Sequence, residues 1–295
     1  MTKGLIILNA FTQYPEQLHT ARRLQATFSK YQVTTSIITN DQVFIYLDNQ
    51  GKTVCHLDQD LDFIVYLDKD YNIGRLLELH GYRLFNNADS IRICDDKMLT
   101  HVTLANHGIK MPKTISYPLR YNVGDDSFFH KRVQEELKFP LIIKECFGSL
   151  SLEVSLIKTL DEYQVASTKL MNKPHLYQEF IASSFGRDLR LHLINKKVVA
   201  HMYRTATTAG EFRSNIEIGG IGSQIKVPLA FIKMAEKAAR ILKLDYCGMD
   251  FLFDAKGGPV LLEVNSNAYL GPIEKFSEVN VADLYVKFIL KQIAK

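Results

Sequence analysis

The densest chemistry in the sequence lies towards its C-terminal end. Gly248-Met249-Asp250-Phe251-Leu252-Phe253-Asp254 is followed by Ala255-Lys256-Gly257-Gly258 and then by Pro259-Val260-Leu261-Leu262-Glu263-Val264-Asn265. Two strand-like runs around a short glycine-bearing loop make a β-hairpin. Pairing Asp254 with Pro259 sets Asp250 directly opposite Glu263, about 4.5 to 5.5 Å apart at Cβ, where like charges repel unless something positive sits between them. Asn265, two residues beyond Glu263, points to the same sheet face. Two carboxylates and an amide oxygen converging on one point are hard ligands, suited to Mg2+ held together with substrate phosphates. On a plain exposed face the same residues would only be acidic neighbours, and a bulge would change the register.

Cations form a second set. Lys144 ends the run Phe139 to Lys144, Arg190 lies in Asp188-Leu189-Arg190-Leu191, and Arg204 ends the run Val198 to Arg204. A lysine at a buried strand end is a point charge for phosphate, and an arginine fork matches phosphoryl or carboxylate oxygens. Taken singly, each reads as a cation snorkelling at a strand end; only convergence makes a site. After Lys144, the stretch Glu145 to Ser151 could wrap phosphates with backbone N–H groups or form an ordinary hairpin loop. Tyr177-Gln178-Glu179-Phe180-Ile181, followed by Gly186-Arg187-Asp188, offers a strand end for an adenine edge and an acid for ribose hydroxyls. Gly210 to Asn215, then Gly219-Gly220-Ile221-Gly222, is long and polar enough for a binding loop, with a solvated connection as the alternative.

These groups need elements to place them. Leu5 to Leu8 is an apolar run of parallel-sheet type, and Pro15 opens a helical pattern through Leu18, Ala21, Leu24 and Phe28. With Val33 to Ile38 and Leu61 to Leu67 as further strands, residues 1–92 read as a parallel α/β layer. No GxGxxG follows the first strand, so no dinucleotide fingerprint is present. Asp95-Asp96 caps a helix expected to run to Gly108, and Tyr117 to Ser127 is loop-like. Phe139–Lys144, Leu152–Ile157, His175–Ile181, Asp188–Ile194 and Lys197–Tyr203 read as strands, with a helix over Asp161–Met171. Helices from Pro228 and over Val281–Ile293 close an antiparallel α+β body.

Composition excludes several classes. The 295 residues carry a net charge of +4 with 46% apolar and 23% charged residues, as expected of a folded globular chain with no basic stripe for nucleic acid. Apolar runs fall far short of the roughly 20 residues that span a bilayer. Four scattered cysteines without a CxxC pair suggest neither a disulfide framework nor a zinc cluster, and the nine histidines show no HExxH spacing. The first residues do not form a signal-peptide pattern, so a cytoplasmic location is expected.

In this order, the motifs resemble the ATP-grasp superfamily and, within it, the RimK-type amino-acid ligases, among them glutamate ligases. The matching pieces are Asp96-Lys97, Leu141-Ile142-Ile143-Lys144, Gln178-Glu179-Phe180-Ile181, Asp188-Leu189-Arg190, Phe212-Arg213-Ser214-Asn215 with Gly219-Gly220, Gly248-Met249-Asp250, and Glu263-Val264-Asn265-Ser266-Asn267. The resemblance implies an ATP-grasp fold: an N-terminal parallel α/β domain (1–92) and two antiparallel α+β lobes (93–181 and 182–295). It implies Lys97 and Lys144 on ATP phosphates, Gln178 to Ile181 at the adenine, and Asp188 at or near the ribose. Arg190 and Arg204 would face the transferred phosphoryl group and acyl intermediate, and Arg213, Ser214 and Asn215 would reach ATP and the acceptor. Asp250, Glu263 and Asn265 would hold Mg2+, with Mn2+ as an alternative metal. The implied activity is an ATP-dependent, ADP-forming carboxylate–amine ligation through an acyl phosphate, adding an amino acid such as glutamate to a protein, peptide or small-molecule carboxylate. A dipeptide-type ligase and a nucleotide-binding regulator without catalysis are the alternatives, and a phosphotransferase on an alcohol is a third. No nucleic acid or membrane partner is implied, and a homo-oligomer is left open. Glu145 to Ser151 holds fewer glycines than the phosphate loops of relatives, and residues 1–92 depart from the ribosomal-protein glutamate ligase, so substrate identity does not carry over.

Overall fold

A computed structural model of the chain describes residues 2–12, 14–148 and 154–294. The first part runs β1 (Lys3–Leu8), α1 (Pro15–Lys30), β2 (Thr34–Thr39), β3 (Ile45–Leu47), β4 (Thr53–Cys55), β5 (Phe63–Tyr66), α2 (Tyr71–His80), β6 (Leu84–Phe85) and α3 (Ala88–Asp95). Strands β2-β1-β5-β6 form a parallel sheet, while β3 and β4 make a separate antiparallel ribbon. The apolar run at Leu5–Leu8 is buried on both faces, as parallel strands between layers must be. Pro15 sits in the first turn of α1, where its missing N–H costs nothing.

The middle part holds α4 (Lys97–Leu104), β7 (Thr114–Ser116), α5 (Ser127–Glu136), β8 (Leu141–Glu145), β9 (Val154–Ile157), α6 (Leu160–Leu170) and β10 (His175–Glu179). Its antiparallel sheet is ordered β7-β10-β8-β9. Asp96 caps α4 as expected, its carboxylate accepting from the Met98 and Leu99 amides. The helix stops at Leu104 rather than at Gly108. The last part is β11 (Arg187–Ile194), β12 (Lys197–Thr205), β13 (Ile221–Ser223), α7 (Leu229–Ile241), β14 (Tyr246–Phe253), β15 (Pro259–Asn265), α8 (Leu270–Ser277) and α9 (Val281–Ile293). Its five strands form an antiparallel sheet ordered β13-β12-β11-β14-β15. A parallel layer followed by two antiparallel sheets is the ATP-grasp arrangement expected from the motifs.

Core membership groups these elements in a particular way. One core joins Ile6, Phe28 and Phe63 of the first layer to Leu270, Tyr285 and Ile289 of α8 and α9. A second joins Leu104 of α4 to the last sheet and α7. The middle sheet with α5 and α6 closes its own core around Tyr163 and Tyr177. Helix α4 therefore packs with the last sheet although it precedes the middle one in sequence.

Candidate functional site

The last sheet carries a row of charge across adjacent strands. Arg190 on β11 pairs with Asp250 on β14, and Asp250 pairs with Glu263 on β15. Two positions along β11, Asp188 faces Arg204 on β12. The Asp250–Glu263 pair forms by a different route from the expected one. At the turn Phe253, not Asp254, pairs with Pro259, and Leu262 is an extra residue that restores Asp250 opposite Glu263. Such a bulge re-aims side chains, and here Leu262 and Glu263 both line the same cavity.

The repulsion between these carboxylates is relieved by arginines. Arg190 donates to both Asp250 oxygens at 2.7 and 2.6 Å, and Arg204 Nη2 lies 3.0 Å from Asp250 Oδ1. Arg204 also donates to both Asp188 oxygens at 2.6 Å. Burial alone would raise the Asp250 carboxyl, but the two guanidiniums hold it well below the usual carboxylate range. Arg204 is 1% exposed and lines neither of the two cavities described below. It was expected to face the transferred phosphoryl group; its guanidinium is instead turned onto Asp188 and Asp250, because two carboxylates buried on one sheet face need two cations.

Glu263 stands apart, its side chain about a quarter exposed at 26%, with Lys97 Nζ 3.9 Å away. Lys97 reaches across to the middle sheet, where its amide donates to Cys146 O at 3.0 Å and its ammonium to Gly148 O at 2.8 Å. Lys144, at the end of β8, is almost wholly buried. Burial pushes its ammonium down to about 8, an effect opposed by Glu263 and reinforced by Lys97. Of the expected phosphate loop, Glu145 to Gly148 is described, whereas Ser149, Leu150 and Ser151 lie outside the described residues.

Two cavities share this region. The first lies between the middle and last sheets, lined by Ile142 and Val154 of the middle sheet, by Leu252 and Leu262 of the last, and by Lys97 and Lys144. The spacing of Ile142 and Lys144 on β8 puts both on one face. These apolar wall residues escaped the motif reading; the alternation in Leu141-Ile142-Ile143-Lys144 is the signal that could have found Ile142. Glu179, Phe180, Ile181, Asp188, Arg213, Ser214 and Asn215, all candidates from the sequence, also line this cavity. Gln178 does too, but its buried amide is tied to Thr114 Oγ1 at 2.8 Å and so helps hold β10 in the sheet. The Arg213 guanidinium is gripped by Glu211, whose carboxyl that contact lowers to about 2. The loop folds back tightly: Gly220 donates to Asn215 O at 3.0 Å, and a Cβ at Gly220 would lie 2.2 Å from Ser214 O.

The second cavity is polar and lies under the first layer. It is bounded by Asn9, Tyr14 and Asp68 on one side and by Arg190, Asn265 and Asn267 on the other. Glu263, Asn215 and Gly148 line both cavities, so the two spaces meet there. Among the described residues, no three His, Cys, Asp or Glu side chains gather to hold a metal ion by themselves. A cation here would draw on Glu263, Asp250 and the Asn265 amide oxygen, completed by phosphate oxygens. That all-oxygen set suits Mg2+, with Asp250 arriving already neutralised.

A parallel layer, two antiparallel sheets and a cavity between them lined by Lys97, Lys144 and Glu263 fit an ATP-grasp ligase. Residues 94–289 match the RimK-like ATP-grasp domain, and the chain belongs to that family. Beta-citrylglutamate synthase B of Homo sapiens is 30% identical over 76% of this chain and 57% of its own length. A probable alpha-L-glutamate ligase of Parasynechococcus marenigrum is 35% identical over 75% of this chain and 46% of its own length. The solved structure of the ATP-grasp ligase PsnB with minimal precursor, Mg and ADP superposes with a TM-score of 0.71 at 14% identity, covering 99% of this chain and 98% of PsnB. Among the described residues no helix is long and apolar enough to cross a membrane.

Proposed function

We propose that the protein is an ATP- and Mg2+-dependent ligase that joins an amine to a carboxylate through an acyl phosphate. The added amine is an α-amino acid, with glutamate the first candidate, and the acceptor a protein, peptide or small-molecule carboxylate. The observation that carries this reading is the meeting of an apolar slot and a polar cavity at Glu263 and Asn215, where a γ-phosphate from one reaches a carboxylate in the other. Glutamate rests on the names of the two relatives alone.

In the first step a carboxylate oxygen bonds to the γ-phosphorus while the bond to ADP breaks. In the second, the amine nitrogen, having first given up its ammonium proton to solvent, bonds to the acyl carbon, phosphate leaves with the former carboxylate oxygen, and the nitrogen loses its second proton. No protein nucleophile is needed; the chain has to position reactants and neutralise charge. Ile142, Leu252 and Leu262 clasp the base, and Glu179 to Ile181 read its edge. Asp188 faces the ribose, and Lys97 and Lys144 meet the phosphates. Arg190, Arg213, Ser214 and Asn215 meet the reacting end, and Arg204 acts through Asp188 and Asp250. Glu263, Asn265 and Asp250 would hold Mg2+, whose chemistry is to draw negative charge from the phosphate oxygens.

Hydroxylamine supplied with ATP, Mg2+ and a panel of carboxylic acids tests the scheme. A hydroxamate formed in proportion to ADP is expected. ADP release without hydroxamate, or phosphate transfer to an alcohol, would overturn it.

A further inference from the structure

Asp68 follows β5 and lines the polar cavity, yet the scheme above gives it no task. The residue is 2% exposed. Its Oδ1 accepts from the Asn9 amide at 2.8 Å and from the Lys69 backbone at 2.7 Å, and its carbonyl accepts from Asn267 Nδ2 at 3.0 Å. Its Oδ2 is buried and has no hydrogen-bond partner among the described residues. Buried carboxylate oxygens are seldom left without a donor, and one on a cavity wall marks where a donor is to arrive.

The surrounding charges say which kind of donor. Two cations on this wall already have carboxylate partners: Lys69 Nζ lies 2.5 Å from Asp95, and Arg190 is held by Asp250. Glu217 adds a further acid to the lining. What this wall lacks is positive charge. Asn267, which holds Asp68 through its backbone carbonyl, stands two residues beyond Asn265, and all three line this one cavity.

We infer that Asp68 receives the ammonium group of the amine substrate, so that the polar cavity selects a zwitterionic α-amino acid over the same acid without its α-amine. The inference rests on the ligase reading above and adds to it the residue that recognises the amine. An ammonium donor completes Oδ2, and a charge-assisted contact in a partly desolvated cavity is the stronger kind.

Calorimetric titration tests it on the full chain with ADP and Mg2+ present, using L-glutamate against glutarate, L-alanine against propionate, and L-lysine against 6-aminohexanoate. The wild type should bind at least one amino acid tenfold or more tightly than its partner acid. Asp68→Asn keeps the shape and the bonds at Oδ1, and should bind the two alike with an unchanged melting temperature; Asp68→Ser is the second variant should Asn unfold the chain. A preference that survives in these variants, or no tenfold preference in the wild type for any pair, overturns the inference. Failure of the ligase reading shows separately, as absence of hydroxamate in wild-type protein that still prefers the amino acid.

Discussion

Asp250 and Glu263 face each other, yet removing their charges should have opposite consequences. Asp250 is the shared counter-ion of Arg190 and Arg204, so Asp250→Asn strands buried positive charge. Breaking such a network costs about 3 kcal/mol or more, readable as a lowered urea midpoint. Among the described residues Glu263 has one ion-pair partner, Lys97 at 3.9 Å, and Glu263→Gln should change stability by less than about 1 kcal/mol while abolishing ATP turnover. Normal turnover in that variant would remove the metal assignment. Lys144 adds a pH dependence. Burial holds its ammonium near 8 in the free protein, and a bound phosphate must raise it again. Nucleotide binding then takes up a proton above that pH, so affinity falls as pH rises. The metal-free ATP dissociation constant should increase about tenfold from pH 7 to 9.5 in wild type and stay flat in Lys144→Met. Residue types and spacing revealed the carboxylates and cations, because charge in strand-like surroundings is visible locally. The grip of Arg204 on Asp188 and Asp250 was not visible, because it depends on which strands neighbour β11 on each side.

At the scale of elements, the hairpin of β14 and β15 shows how far pairing arithmetic reaches. The turn closes one residue away from the expected pair and the bulge at Leu262 takes up the difference, so the functional pair was legible although the ladder was not. The bulge matters in itself, since it lets Leu262 and Glu263, neighbours in sequence, line one cavity. The longer strands and α1, α6, α7 and α9 announce themselves through apolar periodicity. Short polar elements such as β3, β4, β7 and β13, and the helices α2, α3, α5 and α8, were not recognised, being too brief or too polar to show a period. The loop between β12 and β13 depends on a glycine at one crowded position. Gly220→Ala would drive a methyl group into the Ser214 carbonyl. It should lower ATP turnover at least tenfold and leave the thermal midpoint of the chain nearly unchanged, since the loop meets the buried core through Ile216 rather than at Gly220.

For the whole molecule, the order of a parallel layer and two antiparallel sheets followed from the order of patterns along the chain. The joint core of that layer with α8 and α9 did not, because residues some 250 positions apart must meet to form it, as Arg23 and Glu274 do. The interior also sets a limit in acid. Burial pushes His101 down to about 4 and His192 to about 3, and lowers His175. The folded chain refuses protons that the unfolded chain accepts below about pH 6.5, so stability is complete above that pH and is lost as pH falls towards 4. His101 alone should cost on the order of 2 kcal/mol at pH 5. Urea titrations at pH 7.5 and 5 should show the difference, and coincident midpoints would contradict it.

On the proposed function, the separate core of the middle sheet would give the nucleotide a mechanical role. Lys97 belongs to a helix seated on the last sheet and Lys144 to a strand of the middle one, so the two lysines, which the proposed function sets on one triphosphate, ride on bodies with separate interiors. On that proposal the nucleotide would work as a clasp: phosphate binding would draw the two halves together, and loss of the terminal phosphate would loosen the hold.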